Sequence, residues 1–182
     1  MRTLLVALFC GLLVTATAQN DPLVQKIGFA EPDYILLQLP EAKKIDSELK
    51  THASQLQSQG KAKYEDYQVK LKAYQSMPPT TPEAIKGDKE RELAALQEGI
   101  QKFDQEAQSS YQKKHADLLE PVSKKISKAI EEVAKENGYS FIINPQLANG
   151  GDILLFSDEK HNISDLVLKK LGVAPAQPTL IK

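Results

Sequence analysis

Between Pro40 and Asn137 the apolar positions recur every three or four residues. In the first half they fall at Ile45, Leu49, Ala53, Leu56, Gly60, Tyr64, Tyr67, Leu71 and Tyr74, in steps of 4, 4, 3, 4, 4, 3, 4 and 3. The mean step is close to the ~3.6 residues of a helical turn, so the stripe predicts a nearly straight helix and not a tight left-handed supercoil. It is one residue wide and Gly60 interrupts it. Such a stripe can bury against one partner helix but cannot floor a globular core. A second stripe runs Leu93, Leu96, Ile100, Phe103, Ala107, Tyr111, Leu118, Val122, Ile126, Ile130 and Val133, with His115 in the slot before Leu118. The break between the two is Met77-Pro78-Pro79-Thr80-Thr81-Pro82. Pro40 opens the first helix at a position where its missing N–H costs nothing. Thr81 is the expected cap of the second, with Pro82 at its first position and Glu83 in its first turn. Pro121 predicts a kink or helix break just before it.

The two helical stretches match in length. Pro40 to Ser76 is 37 residues and Pro82 to Glu120 is 39, so each spans roughly 55 to 60 Å. They predict an antiparallel hairpin arm over 40–120 with its tip at 77–81.

Strand-like pieces flank the arm. Residues 25–30 alternate, with Ile27 and Phe29 on one face, and Glu31-Pro32-Asp33 ends them. Asn137-Gly138 stops the second helix. Strands at about 139–143 and 153–156 then form an expected hairpin around the Asn144 to Asp152 loop. A short helix follows at about 162–171, opened by Asn162 and stopped by Gly172. Residues 174–182 read as a flexible tail. The fold class is α+β, mostly α: a long helical hairpin projecting from a small β-rich association body, built from 19–39 and 121–173. Three short strands and two short helices bury too little to stand alone. The expected remedy is self-association through the strands, with Ile27, Phe29, Tyr139, Phe141, Ile143, Leu154 and Phe156 at the oligomer interface.

The N-terminus adds a compartment. Arg2, the apolar run Leu4 to Val14 and Ala16-Thr17-Ala18 read as a secretory signal peptide over 1–18, cleaved after Ala18. The apolar run is shorter than the ~20 residues that span a bilayer. Cys10 is the only cysteine and lies inside the signal. The exported chain then has no disulfide, no catalytic thiol and no thiolate metal site. Charge excludes another class. The full chain has a net charge of −1, and loss of Arg2 leaves −2. No basic excess drives nucleic-acid binding.

Candidate chemistry is sparse. His52, His115 and His161 lie on different elements, with no metal-ligand spacing. Glu90, Glu92, Glu131 and Glu132 alternate with lysines as a solvated face. Asn149-Gly150-Gly151-Asp152 lacks a following Lys-Ser/Thr and reads as a turn. Asn162-Ile163-Ser164 is a formal glycosylation sequon, but Asn162 suits a helix cap. No catalytic residue, metal or cofactor is expected, and the chain does not read as an enzyme. The arm instead offers mildly polar walls. Tyr67, Tyr74, Met77 and Pro78 are the expected partner contacts near the tip, where methionine adapts to varied surfaces. Gly60 and Pro121 are the expected flex points.

Taken in order, these features resemble the Skp/OmpH family of periplasmic chaperones. The resemblance runs from about Lys26 to Gly172. It rests on the strand Lys26-Ile27-Gly28-Phe29, on Pro40-Glu41, and on Leu119-Glu120-Pro121-Val122. It continues through Ala129 to Tyr139, the next strand, and Asn162-Ile163-Ser164-Asp165-Leu166-Val167. The resemblance implies a homotrimer whose β-rich body joins three arms around a cavity. Unfolded outer-membrane proteins would be held there without ATP before membrane insertion. The near-neutral chain, with a pI of about 6.3, gives no electrostatic argument for contact with lipopolysaccharide or membrane. The competing expectation is a structural or adaptor coiled-coil protein of the envelope that binds one folded partner.

Overall fold

The computed structural model describes residues 25–147 and 151–175. The expected signal peptide over 1–18, Asn149-Gly150 and the end of the expected tail lie outside these residues. Strand β1 is Ile27–Phe29, and three helices follow: α1 Pro32–Gln38, α2 Pro40–Gln75 and α3 Glu83–Glu136. Strand β2 is Phe141–Ile143. A single 3-10 turn at Glu159–His161 then leads into helix α4, Ser164–Lys170.

Prolines set the first boundaries. A residue before proline is pushed out of the helical region. Glu31 precedes Pro32 and is extended. Leu39 precedes Pro40, is extended at φ −75° and ψ 141°, and alone separates α1 from α2. Both prolines occupy the first helical position, as expected. Glycine sets the later boundaries. Gly138 at φ 69° and Gly172 at φ 80° take the left-handed conformation that ends α3 and α4. The Tyr139 amide then donates to the Ala134 carbonyl, and the Val173 amide to Leu168.

Two helix expectations are corrected. Thr81 does not cap α3. Its hydroxyl and amide both donate to the Pro78 carbonyl, which closes the tip turn, and α3 begins at Glu83 after Pro82. Nor does Pro121 break the helix, since α3 runs for 54 residues with Pro121 inside it. An interior proline costs about 3 kcal/mol through a lost hydrogen bond and a ring clash. Val122, Ile126, Ala129 and Val133 are all buried beyond it. Val122, Ile126 and Val133 each contribute about 1.5–3 kcal/mol on burial, so continuing the helix outweighs the proline.

The sheet is smaller than the pattern suggested. β1 and β2 pair in parallel, Ile27 with Phe141, Gly28 with Ile142 and Phe29 with Ile143. The three long-range helices form the crossover that parallel strands require. No strand forms at 153–156. The expected hairpin shrinks to one antiparallel bridge, Gln146 with Asp152, beyond which the Ile153 and Leu154 amides converge on the Pro145 carbonyl. Pro145 has no N–H to extend a ladder. Leu155 and Phe156 are consequently 94% and 87% exposed.

The core lies at the arm's root. Ile35, Leu39, Ile163, Val167 and Leu168 are fully enclosed, and the buried ends of α2 (Ile45, Leu49) and α3 surround them. One chain therefore does build a small core, mainly from its four helices, with Phe29, Ala30 and Ile163 contributing from β1 and the adjoining segments. Above Leu49 and below Val122 the arm has only a half-buried seam.

Candidate functional site

Two surfaces carry the sequence-predicted residues: the arm, and the outer side of the sheet. The arm's helices meet along half-buried Leu56, Gly60, Leu71, Leu96, Ile100 and Phe103. At Gly60 a Cβ would lie 3.1 Å from the Phe103 ring, so glycine lets the helices approach at that level. Gly60 sits inside an unbroken α2. Just above it, Ala62, Ala95 and Gly99 leave a groove of about 330 Å³ along the seam, floored by Leu96 and Ile100. Tyr64 and Tyr111 were placed on the seam by periodicity, but both are exposed. Their stripe neighbours Gly60, Tyr67, Ala107 and Leu118 stay half-buried.

Polar ties cross the seam at intervals. Lys125 donates to Glu41 at 2.6 Å, and Lys114 to Glu48 at 3.1 Å. His52 Nε2 lies 3.1 Å from Ser110 Oγ. Lys70 donates to Glu92 at 2.5 Å, Lys89 joins the same carboxylate at 2.7 Å, and the Tyr74 hydroxyl donates to Glu90. Hydrogen bonds from Lys70 and then Lys89 lower the Glu92 carboxyl to about 2. Glu41 is likewise lowered, chiefly by Lys125. The Glu90 hydrogen bond pushes the Tyr74 phenol up. Apart from the i,i+3 pair Lys89–Glu92 within α3, these ties depend on the register between two helices, which no single-helix pattern reveals. Glu92 had been read only as part of a solvated face.

The expected tip contacts divide. Tyr67, Tyr74 and Met77 are half-buried in or beside the seam, whereas Pro78 is exposed. Val69 and Ile85 are exposed nearby and were not singled out from the sequence.

At the sheet, Ile27 and Phe141 are register partners, 48% and 54% exposed. Phe29 is 4% exposed and belongs to the chain's own interior, while its partner Ile143 is half-buried. Tyr139 is also half-buried. The Lys26 ammonium stands 4.1 Å from its ring centroid, and a Cβ on Gly28 would come within 2.7 Å of its Cε1 atom. Leu154 is half-buried, and Phe156 projects with Leu155, Ile153 and Leu147 from the loop after β2.

Chemical groups are dispersed. Among the described residues no group of three or more His, Asp or Glu could hold a metal ion, and no helix is long and apolar enough to cross a membrane. Asn162 is engaged throughout. Its amide donates to Glu31 and Glu159; expected as the helix cap, it instead lies one residue before the cap position, Ile163, and its oxygen accepts from the Ser164 amide in a turn leading into α4. Ser164 is buried, with its hydroxyl accepting from the Glu31 amide.

The family model for outer membrane protein (OmpH-like) matches residues 26–171, from just before β1 to the end of α4. The chain belongs to the OmpH-like family. No curated protein shows significant similarity to it. Among solved structures, the OmpH-like fold recurs in a candidate outer membrane chaperone (OmpH-like) from Caulobacter crescentus CB15. That structure superposes with a TM-score of 0.68 at 16% identity, over 82% of this chain and 85% of the other. At that identity the likeness is one of fold.

Proposed function

We propose that this OmpH-like protein is an ATP-independent holdase chaperone of the periplasm. It binds unfolded outer-membrane proteins between the helical arms of a homotrimer and keeps them from aggregating before membrane insertion. One observation carries this reading: a single chain leaves apolar surface uncovered in two places that have different uses. On the body, Ile27, Phe141, Leu155 and Phe156 stand exposed beside a two-stranded sheet. A pair of strands is marginal alone and gains from further pairing. This surface suits assembly of like chains, with Ile143 and Leu154 at its margin. Along the arm, exposed Tyr64, Val69, Ile85 and Tyr111 are spaced out among charged residues. Scattered, weak apolar contacts suit a ligand with no fixed shape. A holdase of this kind needs no nucleotide, because binding the unfolded chain and not the folded one shifts the equilibrium by mass action. Membership of the OmpH-like outer membrane protein family and the fold shared with a candidate outer membrane chaperone support the outer-membrane client.

The test joins two measurements on the chain lacking residues 1–18. Sedimentation should give a trimer, and substoichiometric amounts without ATP should suppress aggregation of a denatured β-barrel protein diluted from urea. A trimer with no effect on aggregation would instead support an adaptor binding a folded partner. A monomer would remove the cavity.

A further inference from the structure

The loop between β2 and α4 has a second consequence. We propose that residues 153–157 form an endoproteolytic site that marks chains which have not assembled, cut by a protease whose specificity pocket takes a leucine or aromatic side chain. The inference rests on the assembly surface proposed above. Proteases bind their substrates extended, so exposure alone is not enough. Leu37, Tyr64, Val69 and Ile85 are exposed but sit in helices. At Leu155 and Phe156 near-complete exposure coincides with irregular backbone. The segment is tied at its two ends. Upstream, the Ile153 and Leu154 amides share the Pro145 carbonyl. Downstream, Asp158 accepts from the Lys160 and His161 amides. Between them, the Leu155, Phe156 and Ser157 amides make no hydrogen bond among the described residues. Local opening there is inexpensive, and cleavage of an opened segment follows its population.

The step is hydrolysis. Water adds across the Phe156–Ser157 peptide bond, leaving a carboxylate on Phe156 and an amine on Ser157, with the nucleophile supplied by the protease. The cut falls between β2 and α4, and α4 with its cap residue supplies Ile163, Val167 and Leu168 to the core. Covalent tethering holds such an element at an effective concentration of about millimolar, and a nick removes that advantage. A single cut thus releases one wall of the core and commits the chain to unfolding. In an assembled chain the same side chains are covered by a neighbouring copy, and the bond is spared.

Chymotrypsin is a suitable probe on the purified chain lacking residues 1–18, at two concentrations either side of its assembly midpoint. Sedimentation of the same samples fixes that midpoint. The first cut should fall after Leu155 or Phe156 and should be about tenfold faster in the dilute sample, where the open, uncovered form prevails. Leu155→Ser with Phe156→Ser should abolish that cut in the dilute sample with circular dichroism unchanged. A first cut at the tip or within the arms overturns the site. Equal cutting rates in a chain that does assemble overturn the assembly gating. A chain that is monomeric at every concentration overturns the assembly reading, and the gating falls with it.

Discussion

Small residues decide how closely the parts of this chain approach. Gly28 is pinned between the Tyr139 ring and the His161 carbonyl, 3.0 Å from where its Cβ would stand. Gly28→Ala is expected to cost about 1–3 kcal/mol by overpacking. Denaturant unfolding would measure it, and Tyr139→Leu in the same chain should recover part. Side chains at the sheet differ in the same way. Phe29→Asp places an unpaired charge in the interior and should unfold the body. Ile27→Asp with Phe141→Asp changes two half-exposed positions, so it should abolish assembly while preserving helicity; sedimentation alongside circular dichroism separates the two outcomes. Glu92 gives a pH signature. An unfolded glutamate titrates near 4.5, and here it is held down to about 2. Its contribution to tip stability is therefore complete above about pH 4.5 and is lost as pH falls toward 2. Thermal melts of Glu92→Gln should differ from wild type above that window and converge with it below. A constant difference down to pH 2 would contradict the Lys70–Glu92–Lys89 tie.

At the scale of elements, the sequence announces most boundaries, because they rest on local chemistry. Proline pushes Glu31 and Leu39 into extended backbone, and Asn137-Gly138 ends a helix through its own backbone conformation. The elements that escaped a reading along the chain depend on what lies across from them. Residues 153–156 have strand-like composition, but the Ile153 and Leu154 amides both end on the Pro145 carbonyl and no ladder follows. Pro121 carries a breaking signal that is purely local, whereas the force that overrides it is the burial of Val122 through Val133 in a core the chain reaches only after folding. The ties Lys70–Glu92, Lys114–Glu48 and Lys125–Glu41 require the register of α2 against α3, which neither periodicity contains. Of the candidate contacts, only exposed Ile27, Phe141, Phe156 and Pro78 stand where a partner can reach them readily. Pro121 remains testable as a flex point. Pro121→Ala should raise stability by about 1–3 kcal/mol, since it restores a helix hydrogen bond. Urea midpoints would show the gain. If the arm must bend there to admit clients, aggregation suppression should fall as stability rises.

Viewed as a whole molecule, the chain keeps its stabilising core apart from its long arm. Its enclosed side chains gather at one end, and the long remainder is a thin seam with ionic ties. That division predicts that shortening both helices by matched turns near the tip would leave the unfolding midpoint almost unchanged while reducing the mass of client protected, readable by light scattering. The unbroken course of α3 also has a mechanical meaning. The helix is a rod of about 80 Å, of which some 57 Å lies tipward of Pro121 and about 24 Å is seated in the body. It is a lever with its fulcrum near Pro121, and the long side is more than twice the short one. A sideways load on the tip reaches Ile126, Ala129 and Val133 magnified in force and reduced in travel. If the proposed clients are held between arms, one that swells or shrinks there would strain the packing of the body directly, without any second element to relay the message.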